Sequence, residues 1–219
     1  MRRIGIFGSS GFAREVADIV TALGHKPLFV VRDRIELERW SWPDDVVLES
    51  ELQSLDSTEF TIGVGDNRVR ERIATRYANE FHFCNLIHPS ATFGVRQREA
   101  IDAQRGIIVC SGVRFTNGIE VGDFSIFNLN ATVGHDCTIE AFVNVSPGAS
   151  ISGNVHLARR AWIGTGATVI QGKTDRKLRI GEDATIGAGA VVTRDCVAAA
   201  VYVGVPARKL RDGFVTMGS

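Results

Sequence analysis

At 219 residues the chain can bury one sizeable core or two small ones, and its 25 basic side chains balance 25 acidic ones. Neutrality removes the electrostatic reason to seek nucleic acid or an anionic membrane, and no apolar run approaches the ~20 residues of a membrane-spanning helix. Four cysteines (Cys84, Cys110, Cys137, Cys196) form no CxxC pair; free thiols in a cytoplasmic protein fit them better than a disulfide framework or a zinc site.

The chain opens with "MRRIGIFGSSGF", whose apolar run is cut by "GSSG" too early for a signal peptide. "RIGIFG" (Arg3 to Gly8) predicts a short buried strand. A helix follows, with Phe12, Val16, Ile19, Val20 and Leu23 on one face and Gly24 as its stop. "PLFVV" and "FTIGVG" predict a second and third strand, "NRVRERIATRYANE" a second amphipathic helix, and "FHFCNLI" a fourth strand. The aromatic "RWSWPDD" (Arg39 to Asp45) reads as a loop packed on this unit. Alternation of strands and helices is the βαβ signature of a parallel sheet. Residues 1–87 are therefore expected to form a small Rossmann-like domain.

The remainder, residues 88–219, changes period. Val109, Phe115, Val121, Phe127, Val133, Ile139, Val145, Ile151, Leu157, Ile163 and Val169 recur every sixth residue, and Ile180, Ile186 and Val192 resume the spacing. Four residues after these positions the side chains are small or slim, Ala131, Cys137, Ala149, Ala161 and Ala167 among them. Neither a helical nor a strand period produces a six; an internal repeat does. A large aliphatic, a slim residue and a tight corner suit a triangular parallel β-coil of three hexads per turn, each turn about 4.8 Å thick. "KTDRKLR" (Lys173 to Arg179) interrupts the rhythm with five extra residues, either a gate over a groove or a tolerated surface insertion.

In this register His135 of "GHDCTIEAF" falls two positions after Val133, outside the coil, while Cys137 falls at the inward slim position. A Cys–His nucleophile pair is excluded on that ground. An outward imidazole, with an ordinary pKa of ~6.5, suits a general base at neutral pH, and the adjacent Asp136 could fix its tautomer. Gly153 lies eighteen residues on, one coil away, where its N–H could serve an oxyanion or where it simply turns a corner. "GSSG" between a strand and a helix points backbone N–H groups at an anion, or makes a tight turn; it is not a full GxGxxG pattern. His156 is three positions out of stack with His135, which argues against a three-histidine metal cage and leaves no metal site expected.

The hexads resemble the hexapeptide-repeat acyltransferases, whose fold is a left-handed parallel β-helix. With "IFGSSGFAREV" in front and "VGVPARKL" (Val203 to Leu210) behind, the chain resembles more narrowly the bacterial sugar acyltransferases. These include the sialic acid O-acetyltransferases and the PglD-like N-acetyltransferases of bacillosamine synthesis. The likeness runs to about residue 211. It implies an N-terminal Rossmann-like βαβ domain, then a left-handed β-helix with a C-terminal cap. It also implies acetyl-CoA as acyl donor, a nucleotide-linked sugar as acceptor, and a homotrimer, since one coil face supplies only one wall of a groove.

Carried over by position, the resemblance makes His135 the base, Asp136 its orienting group (where the family commonly has Glu) and Gly153 a neighbour of the acyl group. Asn144, Ser146, Thr165 and Ala188 would line the cofactor groove, with Asn144 standing where the bacillosamine enzymes have histidine. Arg208 and Lys209 would reach CoA phosphates, or form a solvated cap. Gly8, Ser9, Ser10, Gly11 and Phe12 would hold the sugar nucleotide, Phe12 replacing a family histidine. Arg32 and Asp33, then Gly65, Asp66, Asn67 and Arg70, would form two further edges of that pocket. N-acetylation of an amino sugar for a surface polysaccharide or glycan is the expected activity. O-acetylation, or a non-catalytic scaffold or sensor, are the alternatives.

Overall fold

A computed structural model describes residues 1–55 and 58–213; the last six residues of the expected cap, 214–219, lie outside the described residues. The chain forms a small Rossmann-like lobe followed by a left-handed parallel β-helix. The lobe is a four-stranded parallel sheet of β1 (Arg3–Phe7), β2 (Lys26–Val31), β3 (Val46–Leu48) and β4 (Glu59–Ile62), in the order β3-β2-β1-β4. Helix α1 (Gly11–Ala22) buries Ala13, Val16, Ala17, Ile19 and Val20 at helical spacing. Asp33 caps the short α2 (Arg34–Glu38) and Asp66 caps α3 (Asn67–Arg76), each accepting backbone N–H groups of the first turn.

The expected fourth strand, "FHFCNLI", does not join this sheet. Phe83 makes one bridge to Phe60, and its ring packs on Phe7 and Phe124. Leu86–Ile87 pairs instead with Ile108–Val109 as the first rung of the coil, so the coil begins inside the range expected for the first domain. The edge of the sheet is filled by Val46–Leu48, whose three residues are too few to show a period.

The coil has three faces. The first holds the rungs Ile126–Phe127, Asn144–Val145 and Trp162–Ile163; the second holds Thr132–Val133, Ser150–Ile151 and Thr168–Val169; the third holds Thr138–Ile139 and Val155–Leu157. Pairing is parallel and steps by eighteen, as in Thr132 to Ser150 to Thr168. All the sixth-residue aliphatics named above are buried, as are the slim residues that follow them. Inward aliphatic and slim side chains alternate along each edge, so successive triangles stack in one continuous buried core. Corners are turned by residues in the left-handed region, among them Phe124, Asp136, Phe142 and Arg160, with φ between 57° and 62°.

In the first coil a helix, α4 (Gln97–Asp102), stands where a third-face rung would lie. Its Gln97 closes the open ladder: Nε2 donates to Ile119 O (2.7 Å), and Oε1 accepts from Ile119 N (2.9 Å). One side-chain amide thus replaces a missing peptide unit. At the far end Ala200–Val203 and Arg208–Asp212 form an antiparallel hairpin. The interruption at 173–177 is a tight turn closed by reciprocal Lys173–Arg176 backbone bonds, and Lys177 Nζ donates to Thr138 Oγ1 (2.7 Å) on the third face. Among the described residues no helix is long and apolar enough to cross a membrane.

Ile139 is buried at a sixth-residue position. Ile139→Ala is expected to cost about 2–5 kcal/mol, read as a lower denaturant midpoint; an unchanged midpoint would contradict the inward register.

Candidate active site

His135 and Asp136 stand at the corner between the second and third faces, both substantially exposed. Asp136 takes the left-handed corner conformation (φ 57°), which turns its carboxylate back on the preceding ring; His135 Nδ1 lies 2.7 Å from Asp136 Oδ2. A proton on Nδ1 shared with this carboxylate leaves the lone pair on Nε2, the ring atom nearest Gly153. Two glycines make room for the pair. A Cβ at Gly153, one coil on, would meet His135 Nε2 at 2.5 Å, and one at Gly118, one coil back, would meet Asp136 Oδ1 at 2.8 Å. The coil-to-coil ladder runs through Gly134 N–H to Ile151 O and Asn154 N–H to His135 O, both 2.7 Å, and among the described residues gives the Gly153 N–H between them no backbone partner. An imidazole, a carboxylate and a backbone N–H therefore meet at one corner.

Cys137 points inward, its Sγ 3.3 Å from Ser152 O, and burial pushes its thiol up. It supplies no thiolate to this corner. Neighbouring His156 is held by Glu140, Nε2 to Oε1 at 2.6 Å. Burial alone would raise the Glu140 carboxyl, but the His156 bond and the Arg159 N–H outweigh it and hold it below the usual range.

The residues expected along the cofactor lie elsewhere on the prism. Ser146, Thr165 and Ala188 follow one another along the corner between the first and second faces, where Gly166 N–H reaches Pro147 O and Gly189 N–H reaches Thr165 O (both 2.9 Å). Ser146 is buried; Thr165 and Ala188 are exposed. The edge continues into the terminal hairpin, where Val191 N–H bonds Gly204 O and Ala207 N–H bonds Val191 O. Arg208 and Lys209 are exposed there, Lys209 paired with Asp212. Asn144 requires a correction: only 4% exposed, it faces the lobe rather than an open groove, and its Nδ2 donates to Gly65 O (3.2 Å). Its Oδ1 has no partner among the described residues.

The expected sugar-loop residues gather at the carboxyl ends of the lobe's strands. Gly8, Ser9, Ser10 and Gly11 lead from β1 into α1, with Gly8 at φ +125°, and Phe12 packs partly buried against the core. A Cβ at Gly8 would sit 2.9 Å from Gly63 O, so the loops after β1 and β4 touch. The strand order reverses between β1 and β4, the place where open α/β sheets take ligands. Arg32 and Asp33 follow β2 nearby; they pair with each other at 3.1 Å while Asp33 also caps α2. Gly65 faces Trp162 of the coil, and Asp66 caps α3.

Arg70 and Asn67 do not line this pocket. Arg70 is fully buried, its donors taken by the carbonyls of Phe124, Phe142, Val64 and Gly65 and by Asn67 Oδ1; Asn67 Nδ2 donates to Arg160 O. Burial pulls the Arg70 guanidinium down to about 9, still charged at neutral pH. Both face the coil because α3 packs its polar i, i+3 edge on coil corners, a tertiary fact no motif announces. Sequence reasoning also missed Glu15, whose carboxyl is raised by burial and by Asp18 while it bonds Asn128 across the junction of lobe and coil. Their signal was faint: Glu15 is one polar residue on an amphipathic helix, and Asn128 one of several corner asparagines.

Gly153→Ala should displace the flexible end of His135 rather than the coil. The expected outcome is a loss of turnover on the order of tenfold or more with little change in melting temperature. Full activity would contradict the stacking of the ring on Gly153.

Comparison with known proteins agrees with this architecture. Residues 3–77 match the model of the PglD N-terminal domain family. GDP-perosamine N-acetyltransferase of Escherichia coli O157:H7 is 28% identical over 230 aligned residues, spanning 96% of this chain and 97% of that protein. The acetyltransferase domain of PglB from Neisseria gonorrhoeae FA1090 superposes with a TM-score of 0.82 at 30% identity, over 96% of this chain and all of that one. PerB from Caulobacter crescentus, solved with CoA and GDP-perosamine, superposes with a TM-score of 0.79 at 28% identity, over 94% and 96% of the two chains. Fold, full-length coverage and identity together place the chain in the PglD-like family of hexapeptide-repeat sugar acyltransferases.

Proposed function

We propose that the chain transfers the acetyl group of acetyl-CoA to the amine of a nucleotide-linked amino sugar, in the cytoplasm, on the way to a surface polysaccharide or glycan. The observation that carries this reading is the outward His135–Asp136 pair in its glycine slot, on a chain whose full-length relatives include N-acetyltransferases of GDP-perosamine. The sugar amine attacks the thioester carbonyl, and His135 Nε2 takes the proton as the C–N bond forms. Asp136 steadies the resulting imidazolium, and Gly153 N–H donates to the oxygen that becomes negative. Collapse breaks the C–S bond, and His135 returns the proton to the departing CoA thiolate, leaving the amide.

The functional unit is a homotrimer in this reading. His135 stands on one edge of the second face; Ser146, Thr165 and Ala188 stand on its other edge. The lobe packs against the first face, beyond that second edge. Between the edges the outward rungs run Thr92, Arg114, Thr132, Ser150, Thr168 and Val191; beyond exposed Arg114 they are small and uncharged, with Thr132 and Ser150 hydroxyls bonded at 3.0 Å. Such a face suits burial against a second copy, which brings the base of one chain to the cofactor edge and sugar loop of another.

The test pairs acetyl-CoA with aminated and hydroxylated nucleotide sugars and follows CoA thiol release and product mass. Transfer to the amine is expected, with His135→Asn reducing it by roughly 10²–10⁴-fold at an unaltered melting temperature. Turnover that survives the substitution overturns the assignment of the base; acceptance of the hydroxyl alone makes the protein an O-acetyltransferase.

A further inference from the structure

Helix α3 reads the coil as a ruler. Asn67 Nδ2 bonds Arg160 O at 2.8 Å, Arg70 Nη2 bonds Phe142 O at 2.8 Å, and Arg70 Nε bonds Phe124 O at 2.8 Å. These three acceptors are spaced by eighteen residues, and each residue turns the same corner in the left-handed conformation, with φ of 57°, 62° and 57°. Three residues of α-helix rise about 4.5 Å, close to the ~4.8 Å between stacked coils, so Asn67 and Arg70 meet successive coils without strain. One coil further on, Arg68 pairs with Asp183 at 2.8 Å. The carbonyls repeat from coil to coil, so they fix the helix against any slide short of a whole coil, and the ion pairs of Arg68 with Asp183 and of Glu71 with Arg159 and Arg160, which do not repeat, fix which coil it meets.

The other side of Arg70 holds the loop after β4. Its Nη1 donates to Val64 O (3.0 Å) and Gly65 O (2.9 Å), the latter also accepting from Asn144 Nδ2. No carboxylate touches the guanidinium among the described residues; Asp66 and Glu71 act on it only through their charge. Carbonyl oxygens of two lobe residues and two coil corners solvate it instead. A buried, carbonyl-solvated charge is a costly way to join two units if adhesion alone is needed, whereas a planar fork with five donors fixes direction as well as distance.

We propose that Arg70, seconded by Asn67, is a positioning residue for acetyl transfer: it bolts the loop after β4 to the coil corners at Phe124 and Phe142, and so sets the height at which the lobe presents an acceptor to His135. This rests on the reading of the lobe as the sugar-nucleotide site. Neither residue touches reactants; both act through the Val64–Gly65 loop.

The experiment compares Arg70→Lys, Arg70→Met and Asn67→Ala with the unsubstituted protein, using an aminated nucleotide sugar and, separately, hydroxylamine, a small acceptor that needs no lobe. Lysine keeps the charge but cannot reach both lobe and coil acceptors. For Arg70→Lys, kcat with the nucleotide sugar is expected to fall on the order of 10- to 100-fold. The KM for acetyl-CoA and the rate with hydroxylamine should stay within about twofold. Asn67→Ala should show the same pattern more weakly, which keeps the test decisive if Arg70→Met does not fold. An unchanged kcat with a lowered melting temperature would make Arg70 merely structural, and an equal loss with hydroxylamine would place the damage at the His135 corner; either overturns the proposal. Absence of transfer to any aminated nucleotide sugar by the unsubstituted protein, with hydroxylamine still acetylated, would instead sink the reading of the acceptor and the positioning role with it.

Discussion

Parallel stacking of residues eighteen apart is the constraint from which the rest follows. Each coil gives its backbone N–H groups to the coil beside it, as Asn144 N–H to Ala161 O and Thr132 N–H to Ala149 O (both 3.0 Å). Because the ladder is in register, a residue type at one position recurs on the same face of every coil. Burial of the aliphatics and exposure of His135 are two consequences of one period. So is the placing of Gly153 over the imidazole and of Gly118 under the carboxylate, since any side chain at either would occupy the slot.

That period made the coil and its His135–Asp136 corner legible. The sixth-residue aliphatics gave the faces, and counting from Val133 gave the directions of His135 and Cys137, both as found. The lobe was legible where helical spacing and strand runs were long enough, as in α1 and β1. Val46–Leu48 was lost because three residues carry no period, and "FHFCNLI" was misplaced because apolar content does not say which sheet a strand joins. Gln97 could not be anticipated, since its amide works only against the unpaired Ile119 peptide.

Arg70, Asn67 and Asn144 show how a family's motif can be read for the wrong purpose. "GVGDNRVR" does reach the crevice at the strand ends through Gly65, yet its Asn67 and Arg70 side chains turn away into the coil. A positive charge in a motif suggests a phosphate; here the charge is solvated by protein carbonyls, and phosphate has no access to it. Around it, Glu71 binds both Arg159 and Arg160 while Arg160 also pairs with Asp183 and Glu182. Lobe and coil are thus joined by a polar seam flanked by the stacked rings of Phe124 and Phe142.

Splitting of the site across two edges of one face is the account's central claim, and subunit mixing tests it most directly. Ser10 is exposed and makes no side-chain cap bond, so Ser10→Trp should block the glycine loop without disturbing the fold. His135→Asn removes the proposed base. Each variant alone should fail to acetylate a nucleotide-linked amino sugar; unfolded, mixed and refolded together, they should recover transfer, because some interfaces then pair an intact base with an intact loop. Mixtures as inactive as their parents, with mixed oligomers demonstrably formed, would contradict a site shared between copies.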